Sequence, residues 1–244
     1  MTEKTNEPSG IIDRLFSAGA HFGFSKSRRH PSVTPFLYGS KGGVEIFDLE
    51  QTKEQLEAAR AYVAKLAKEG KIILFVGSKD EISDIVRQTA VELGMPYVDG
   101  RWIGGTLTNF SEIQKRTELL QKLLSEREDG TLLKKYTKLE RLMIDRDIES
   151  LEEMFGGIKE MEKLPAALLV IDTRAEDIAV AEAKKLGIPV VALMGSDCDV
   201  DSAAYPVLAN DSSRHTVELF LNEMKAAYQE HKAAIPQKEE EAGA

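Results

Sequence analysis

The spacing of apolar residues changes period several times along the chain, and the changes divide it into elements. Ile11, Ile12, Leu15 and Phe16 recur at helical spacing and predict a short helix over 11–20. A stretch bounded by Gly and Pro follows, Ala20-His-Phe-Gly-Phe-Ser-Lys-Ser-Arg-Arg-His-Pro31, where Pro31 and Pro35 argue against regular structure. Residues 36–38 and 44–47 read as short strands around the Gly42-Gly43 turn. From 48 to 68 the apolar positions Leu56, Ala59, Val63, Leu66 and Ala67 line one face of a long helix. Two continuous apolar runs, 71–77 and 168–172, predict strands buried on both faces. Each is followed by a helical pattern (81–93 and 176–186), a Gly-x-Pro break and a second strand (97–98 and 190–194). Strand, helix and strand in that order form a parallel crossover. Two such units predict an α/β fold with a doubly wound, mainly parallel sheet of the flavodoxin or Rossmann kind. A final helix is expected over 214–231.

Between the two units the texture differs. Residues 110–164 carry no strand signal. Ile113, Leu120, Leu123 and Leu124 precede the polar stretch Glu126-Arg-Glu-Asp-Gly-Thr131, and Leu139, Leu142, Ile148, Leu151, Met154, Phe155 and Ile158 follow it. The pattern predicts two amphipathic helices around a turn, an inserted α-helical hairpin of the coiled-coil kind. Periodicity alone leaves open whether it projects as an arm or lies flat on the sheet. The organisation expected is a flexible N-terminal tail (1–10), an α/β domain from 11–109 and 165–231, the helical hairpin (110–164) and a flexible acidic C-terminal tail (232–244).

Composition narrows the class. With 244 residues, 42 % hydrophobic and 30 % charged, the chain can bury a real core. No run approaches the roughly 20 apolar residues of a membrane helix, and the polar N-terminus carries no export signal. Cys198 is the single cysteine, so no disulfide framework forms and a reducing cytoplasm is the expected location. The net charge of −9 taken alone argues against nucleic acid. The charge is uneven, however. From Phe24 to Gly43 there are four basic residues (Lys26, Arg28, Arg29 and Lys41) and no acid. Between Arg101 and Arg141 nine basic residues face six acidic ones, a surplus of three. Helical pairing with Glu112, Glu118 and Glu140 is the competing use of those cations.

Few residues carry reactive chemistry. Phe75-Val-Gly-Ser-Lys79 ends a strand and opens a helix, where α/β proteins hold phosphates, but neither glycine fingerprint of such sites is present. Asp197-Cys-Asp-Val-Asp201 resembles the start of a calcium loop, yet Ser202 and Leu208 stand where that loop needs Gly and a bidentate Glu. His21, His30, His215 and His231 show no metal-ligand spacing. Cys198 between two aspartates should be a poor thiolate. No acid, base and nucleophile come together, so no catalytic residue, cofactor, metal or small-molecule substrate is expected. Two segments suit phosphates. Lys26-Ser-Arg-Arg-His30 offers Arg forks with hydroxyls from Ser25, Ser27 and Ser32, and its alternative is a solvated loop. Arg101-Trp102 sets the single Trp beside an Arg, where stacking on a base and plugging the core are both open.

An ordered series of motifs resembles one family. Ala18-Gly-Ala-His-Phe-Gly23 is similar to its opening A-G-x-H-F-G, and Arg28 to Pro31 and Pro35-Phe-Leu-Tyr-Gly39 follow in its order. Ile46-Phe-Asp-Leu-Glu-Gln-Thr52, Leu74-Phe-Val-Gly-Ser-Lys79 and above all Arg101-Trp-Ile-Gly-Gly-Thr-Leu-Thr-Asn109 continue it. Gly156-Gly-Ile-Lys159, Leu164-Pro165, Val170-Ile-Asp172 and Ala181 to Pro189 complete the series, which spans roughly residues 10–230. On these residues the chain resembles the S-two family of small-subunit ribosomal proteins.

The resemblance implies a structural constituent of the small subunit. It would bind rRNA at the neck between head and body on the solvent side, touch neighbouring small-subunit proteins, and help place the large flexible ribosomal protein S-one. RNA-facing residues would be Lys26, Arg28, Arg29, His30, Lys41, Arg101, Trp102, Lys115, Arg116, Lys122, Lys134, Lys135, Lys138 and Arg141. The motif positions would be His21, Phe22, Gly23, Gly104, Gly105, Thr106 and Asn109. Phe24 stands where the family usually has His, and Met194 to Val200 and Ala209 to Ser213 depart from its pattern. These departures fall near the surface implied to meet S-one. Competing classes are a nucleotide- or sugar-phosphate-binding enzyme using the Gly77 turn, and an adhesion or receptor role like that of distant animal relatives, for which no secretion signal speaks.

Overall fold

The computed structural model describes residues 10–232. The expected tails, 1–10 and 232–244, therefore lie outside the described residues apart from Gly10 and Lys232. A five-stranded parallel sheet forms the centre, in spatial order β5-β4-β6-β7-β8. Its strands are β4 (Ile73–Val76), β5 (Tyr97–Val98), β6 (Ala167–Ile171), β7 (Val190–Met194) and β8 (Tyr205–Leu208). All residues of β4, β6 and β7 are buried, as a parallel sheet covered on both faces requires. Both predicted crossovers are present. β4 runs through α3 (Ser83–Leu93) to β5, and β6 through α7 (Asp177–Leu186) to β7. Each helix stops at a left-handed glycine, Gly94 with φ 67° and Gly187 with φ 68°, a conformation that residues with a Cβ rarely adopt.

The two sheet faces bury different partners. Ile73, Phe75, Leu169, Ile171, Val191 and Leu193 pack with α2 (Leu49–Lys68), α3 and α8 (Arg214–Lys232). Leu74, Val76, Leu168, Val170, Ala192 and Met194 share a cluster with Ala179, Val180 and Ala183 of α7, with Trp102 and Leu107, and with Phe155, Ile158 and Met161. Asp48 caps α2 by accepting from the Glu50 N–H at 3.0 Å.

Two elements depart from the expectation. β8 was not predicted, because Pro206 interrupts a short run. The strand sits at the sheet edge, where a missing N–H leaves no ladder bond broken on the outer side. The segment 20–31, expected to be irregular, contains β1 (Phe22–Ser25). This strand joins β3 (Val44–Phe47) and β2 (Leu37–Lys41) in a small antiparallel sheet of order β1-β3-β2. A strand of four residues that contains Gly23 and is flanked by His21 and Lys26 shows no alternation long enough to read, and its pairing with β3 is what orders it.

Between β5 and β6 the chain forms α4 (Phe110–Glu128), a short α5 (Thr131–Lys135) and α6 (Lys138–Phe155). α4 takes in the first three residues of the polar stretch 126–131, and α5 begins at its last, Thr131. Thr137 and Glu140 form a reciprocal capping box that starts α6. Leu120 of α4 and Ile148 of α6 are wholly buried.

The segment after α6 fixes its base against the sheet. A Cβ on Gly157 would fall on the Tyr97 carbonyl oxygen and its ring, and a backbone carbonyl cannot swing aside. Gly157→Ala is therefore expected to destabilise the chain by about 1–3 kcal/mol through overpacking. Urea unfolding followed by far-UV circular dichroism measures this, and an unchanged midpoint would refute the close approach.

Candidate nucleic-acid interface

Doubly wound sheets bind ligands in the crevice beyond the carboxyl ends of their strands. Here that crevice is filled by the chain itself. Lys79, after β4, places its Nζ 2.6 Å from Asp172 Oδ2 and 3.4 Å from Asp211 Oδ2, joining the loops after β4, β6 and β8. Asp172 holds a left-handed backbone with φ 66°, and its Oδ1 accepts from the N–H groups of Arg174 (2.9 Å) and Ala175 (3.2 Å). The Ser78 N–H, which a phosphate would use, donates to Glu176 at 2.8 Å. The Gly77 turn is thus committed to internal carboxylates.

The electrostatics of the cluster follow from burial against pairing. Burial works to lower the Lys79 pKa, but the charge of Asp211 and the hydrogen bond to Asp172 outweigh it and hold it raised. For Asp172 burial works upward, and the hydrogen bond and charge of Lys79 hold it below the usual carboxylate value. Asp211 is pushed up to about 7, first by burial and then by the charge of Asp172. Cys198 is pushed up to about 12 by burial and by Asp172, so its thiol is protonated and inert near neutrality. Ligand atoms of Asp172, Cys198 and Asp211 lie within 4.8 Å of one another. The Lys79 ammonium already supplies positive charge at that point.

A second buried carboxylate shapes the 101–109 motif. Glu182, on α7, accepts from Trp102 Nε1 (3.2 Å), from the N–H groups of Gly105 (2.6 Å), Leu107 (3.0 Å) and Thr108 (3.0 Å), and from the Thr108 hydroxyl (3.1 Å). Burial pushes its pKa up, and the backbone donors of Thr108, Gly105 and Leu107 more than reverse that. Trp102 is 6 % exposed, so the expectation that it offers a face to RNA is corrected: the ring is core, and its one polar atom is held by Glu182. Thr106 is buried and donates to the Ile103 carbonyl at 2.6 Å; Gly105 has φ 93°, while Gly104 and Asn109 are exposed. Sequence reasoning missed Glu182. Its one signal was an acid set within the apolar stripe of Ala179, Val180 and Ala183.

His21, Phe22 and Gly23 join the small sheet to the large one. The His21 carbonyl accepts from the Phe47 N–H at 2.8 Å, and its ring stacks on Phe16 with centroids 4.5 Å apart. Burial lowers the His21 pKa. Phe22 pairs with Ile46, and Gly23 lies against Ser196, whose Oγ accepts from the Phe24 N–H at 2.7 Å.

The basic residues divide into paired and unpaired. Arg28 lies 3.3 Å from Asp197, whose side chain is 4 % exposed and also meets Arg174 at 2.8 Å, while the Arg28 guanidinium covers the Phe24 ring at 4.4 Å. Arg29 lies 3.4 Å from the buried Glu45. His30 Nδ1 hydrogen-bonds Ser32 at 2.7 Å and stands 3.8 Å from Asp199. The loop expected to present its arginines thus holds them against the chain's own acids.

Lys26, Lys41 and Arg101 are exposed and, among the described residues, have no carboxylate within ion-pair distance. The fold sets the first two at the same end of the small sheet, since Ser25 and Lys41 pair with Val44 from its two sides and the Lys26 N–H donates to the Gly43 carbonyl at 3.4 Å. Tyr38, on the same sheet, is 84 % exposed and was not singled out as a site residue. On the helices, Lys115 pairs with Glu112 at 2.6 Å, and Glu140 serves the Thr137 cap. Arg116, Lys122, Lys134, Lys135 and Lys138 are exposed without an ion pair among the described residues.

Comparison with known proteins bears on the family. The family model described as ribosomal protein S2 matches residues 15–231. A protein named small ribosomal subunit protein uS2 from Coprothermobacter proteolyticus is 42 % identical over 217 residues, covering 88 % of this chain and 80 % of its own length. Proteins of the same name from Geotalea uraniireducens (41 %, 88 % and 84 %) and Sulfurimonas denitrificans (42 %, 90 % and 84 %) are similar over the same extent.

The two buried carboxylate sites yield separate tests. Glu182→Ala removes the acceptor of a whole loop and is expected to destabilise the chain by about 3 kcal/mol, the penalty of stranded donors. It should also red-shift the emission of Trp102, the only tryptophan. Unchanged emission and stability would reject the role given to Glu182. The Asp211 site titrates. In the folded chain it holds its proton up to about pH 7, whereas an unfolded Asp releases it near pH ~3.9. Its stabilisation is therefore complete below about pH 4 and is lost as the pH rises to about 7. Asp172 acts with the opposite sign and is present in both proteins. The stability of the parent relative to Asp211→Asn should fall between about pH 4 and about pH 7 in urea unfolding, and a difference that grows with pH would contradict the assignment.

Proposed function

The chain belongs to the ribosomal protein S2 family, and we propose that it is a structural constituent of the small ribosomal subunit that binds small-subunit rRNA through its exposed, unpaired lysines. The family is structural and not enzymatic. The observation that carries the reading is the end of the small sheet. There Lys26, next to Ser25, and Lys41 lie on either side of Val44, exposed and with no carboxylate within ion-pair distance among the described residues, and the exposed Tyr38 lies farther along β2. Phosphate oxygens suit the two ammonium groups, and an unstacked base suits the ring. Arg101 and the cations of α4 and α5, chiefly Arg116, Lys122, Lys134 and Lys135, extend the interface. Arg28, Arg29 and His30 support it from beneath by holding the loop.

The residues 11–109 and 165–231 act as the rRNA-binding domain in this reading, and 110–164 as an arm toward neighbouring components. The site on the subunit is the neck between head and body on its solvent side. Family membership also supports a contact with ribosomal protein S-one. Its natural surface is where Phe24, the 194–200 segment and the 209–213 segment meet, since a Cβ on Gly195 would touch both Phe24 and Asp211. No described helix is long and apolar enough to cross a membrane.

The salt dependence of binding tests the lysine site. Lys26→Ala with Lys41→Ala should weaken binding to small-subunit rRNA and lower the slope of log affinity against log salt by about 0.7–0.9 for each lost phosphate contact. Arg28→Ala should change stability more than slope, because its guanidinium is held against Asp197 and the Phe24 ring. Filter binding across a salt series reads both, and sucrose-gradient sedimentation reads entry into subunits. An unchanged slope in the double variant would exclude the small sheet from the interface.

A further inference from the structure

We propose that the groove beside the turn between α4 and α6 receives an acidic amphipathic helix from another protein. The proposal rests on the ribosomal reading and adds a partner of defined chemistry to it. α6 carries apolar residues on two faces. Ile144, Ile148, Leu151 and Phe155 recur at helical spacing, are half-buried or buried, and belong to the cluster that includes α4 and the sheet. Leu139, Leu142 and Met143 lie roughly half a turn around the helix from them. They are 68 %, 49 % and 60 % exposed, and nothing among the described residues covers them. Scattered exposed leucines are ordinary, but a contiguous group beside a cavity marks an interaction surface.

The cavity gives the group a shape and a sign. Leu132, Leu139 and Leu142 line a groove of about 830 Å³, and Arg127, Lys138 and Arg141 form its rim against one acid, Asp145. Among the described residues none of the three cations has an ion pair. Arg141 Nε is buried there with no acceptor. A buried donor without a partner is costly, and a carboxylate entering from outside would satisfy it. An apolar floor with a cationic rim matches a helix that sets apolar residues at i, i+3, i+4 and i+7 and carries Asp and Glu on its flanks. RNA fits less well, because its phosphates gain nothing from leucines and no aromatic ring lines the groove for a base to stack on.

Site-directed crosslinking in assembled subunits tests this. The full chain carrying benzoylphenylalanine at Leu142, or at Met143 in case the first label hinders assembly, is taken into small subunits, irradiated, and digested with trypsin and nuclease. A label at Tyr38 serves as the RNA-facing control. The expected product at 142 or 143 is a peptide of net negative charge with apolar residues at helical spacing. The double variant Lys138→Glu with Arg141→Glu should lose that product and enter subunits severalfold less well. An RNA adduct at both positions, a peptide without that pattern, no adduct in subunits that contain the chain, or unchanged entry of the double variant would overturn the proposal. Failure of the unsubstituted chain to sediment with small subunits would instead refute the ribosomal reading.

Discussion

The Lys79 ammonium, held between Asp172 and Asp211, is the contact on which the arrangement of this molecule turns. It sits where the carboxyl ends of the parallel strands converge, and the three loops that supply it follow β4, β6 and β8. A buried charge persists only when paired, and removing one partner leaves the others uncompensated. Two carboxylates share one ammonium, so one is held ionised and the other is driven toward its neutral form. The consequence is functional as well as structural. The crevice that a doubly wound sheet usually offers to a nucleotide is closed by the chain's own side chains, with Glu176 occupying the backbone donor of the Gly77 turn. The sheet becomes a scaffold, and recognition moves to its periphery.

Glu182 performs the same task on the flank of the sheet. One carboxylate gathers an indole N–H, three backbone N–H groups and a hydroxyl, and so gives the glycine-rich 101–109 segment a single shape. That segment leads directly into α4, so the orientation of the helices between β5 and β6 depends on a loop whose conformation is set by an acid on α7. Gly157 closes the other end of the segment against β5. The helices are therefore clamped at both roots, and their first and last turns contribute Ile113 and Phe155 to the core beneath the sheet.

The charge pattern explains how a chain of net charge −9 can suit an RNA-rich setting. Many of its acids are engaged internally. Asp197 meets both Arg28 and Arg174, Glu45 meets Arg29, and Glu223 meets Arg14 and Arg60. What the solvent sees at the hairpin end of the small sheet includes Lys26 and Lys41, with no ion pair among the described residues. Local field, not net charge, decides what a surface attracts.

The sequence by itself determined the α/β class, both crossovers and their glycine stops. The reason is that these depend on short-range rules: continuous apolar runs for strands buried on both faces, helical spacing, and Gly-x-Pro breaks. The ordered motifs likewise determined the family, with Arg101 to Asn109 the most specific of them. Tertiary structure alone decided β8 and β1, because a short strand is defined by the neighbour that pairs with it and not by its own pattern. It decided that Trp102 faces inward, a choice made by Glu182 some eighty positions away. It decided which cations remain free, since Arg28 and Arg29 are held against Asp197 and Glu45, and only the folded chain brings those charges within reach. Periodicity is written into neighbouring residues, whereas charge pairing and burial are properties of residues that meet in space.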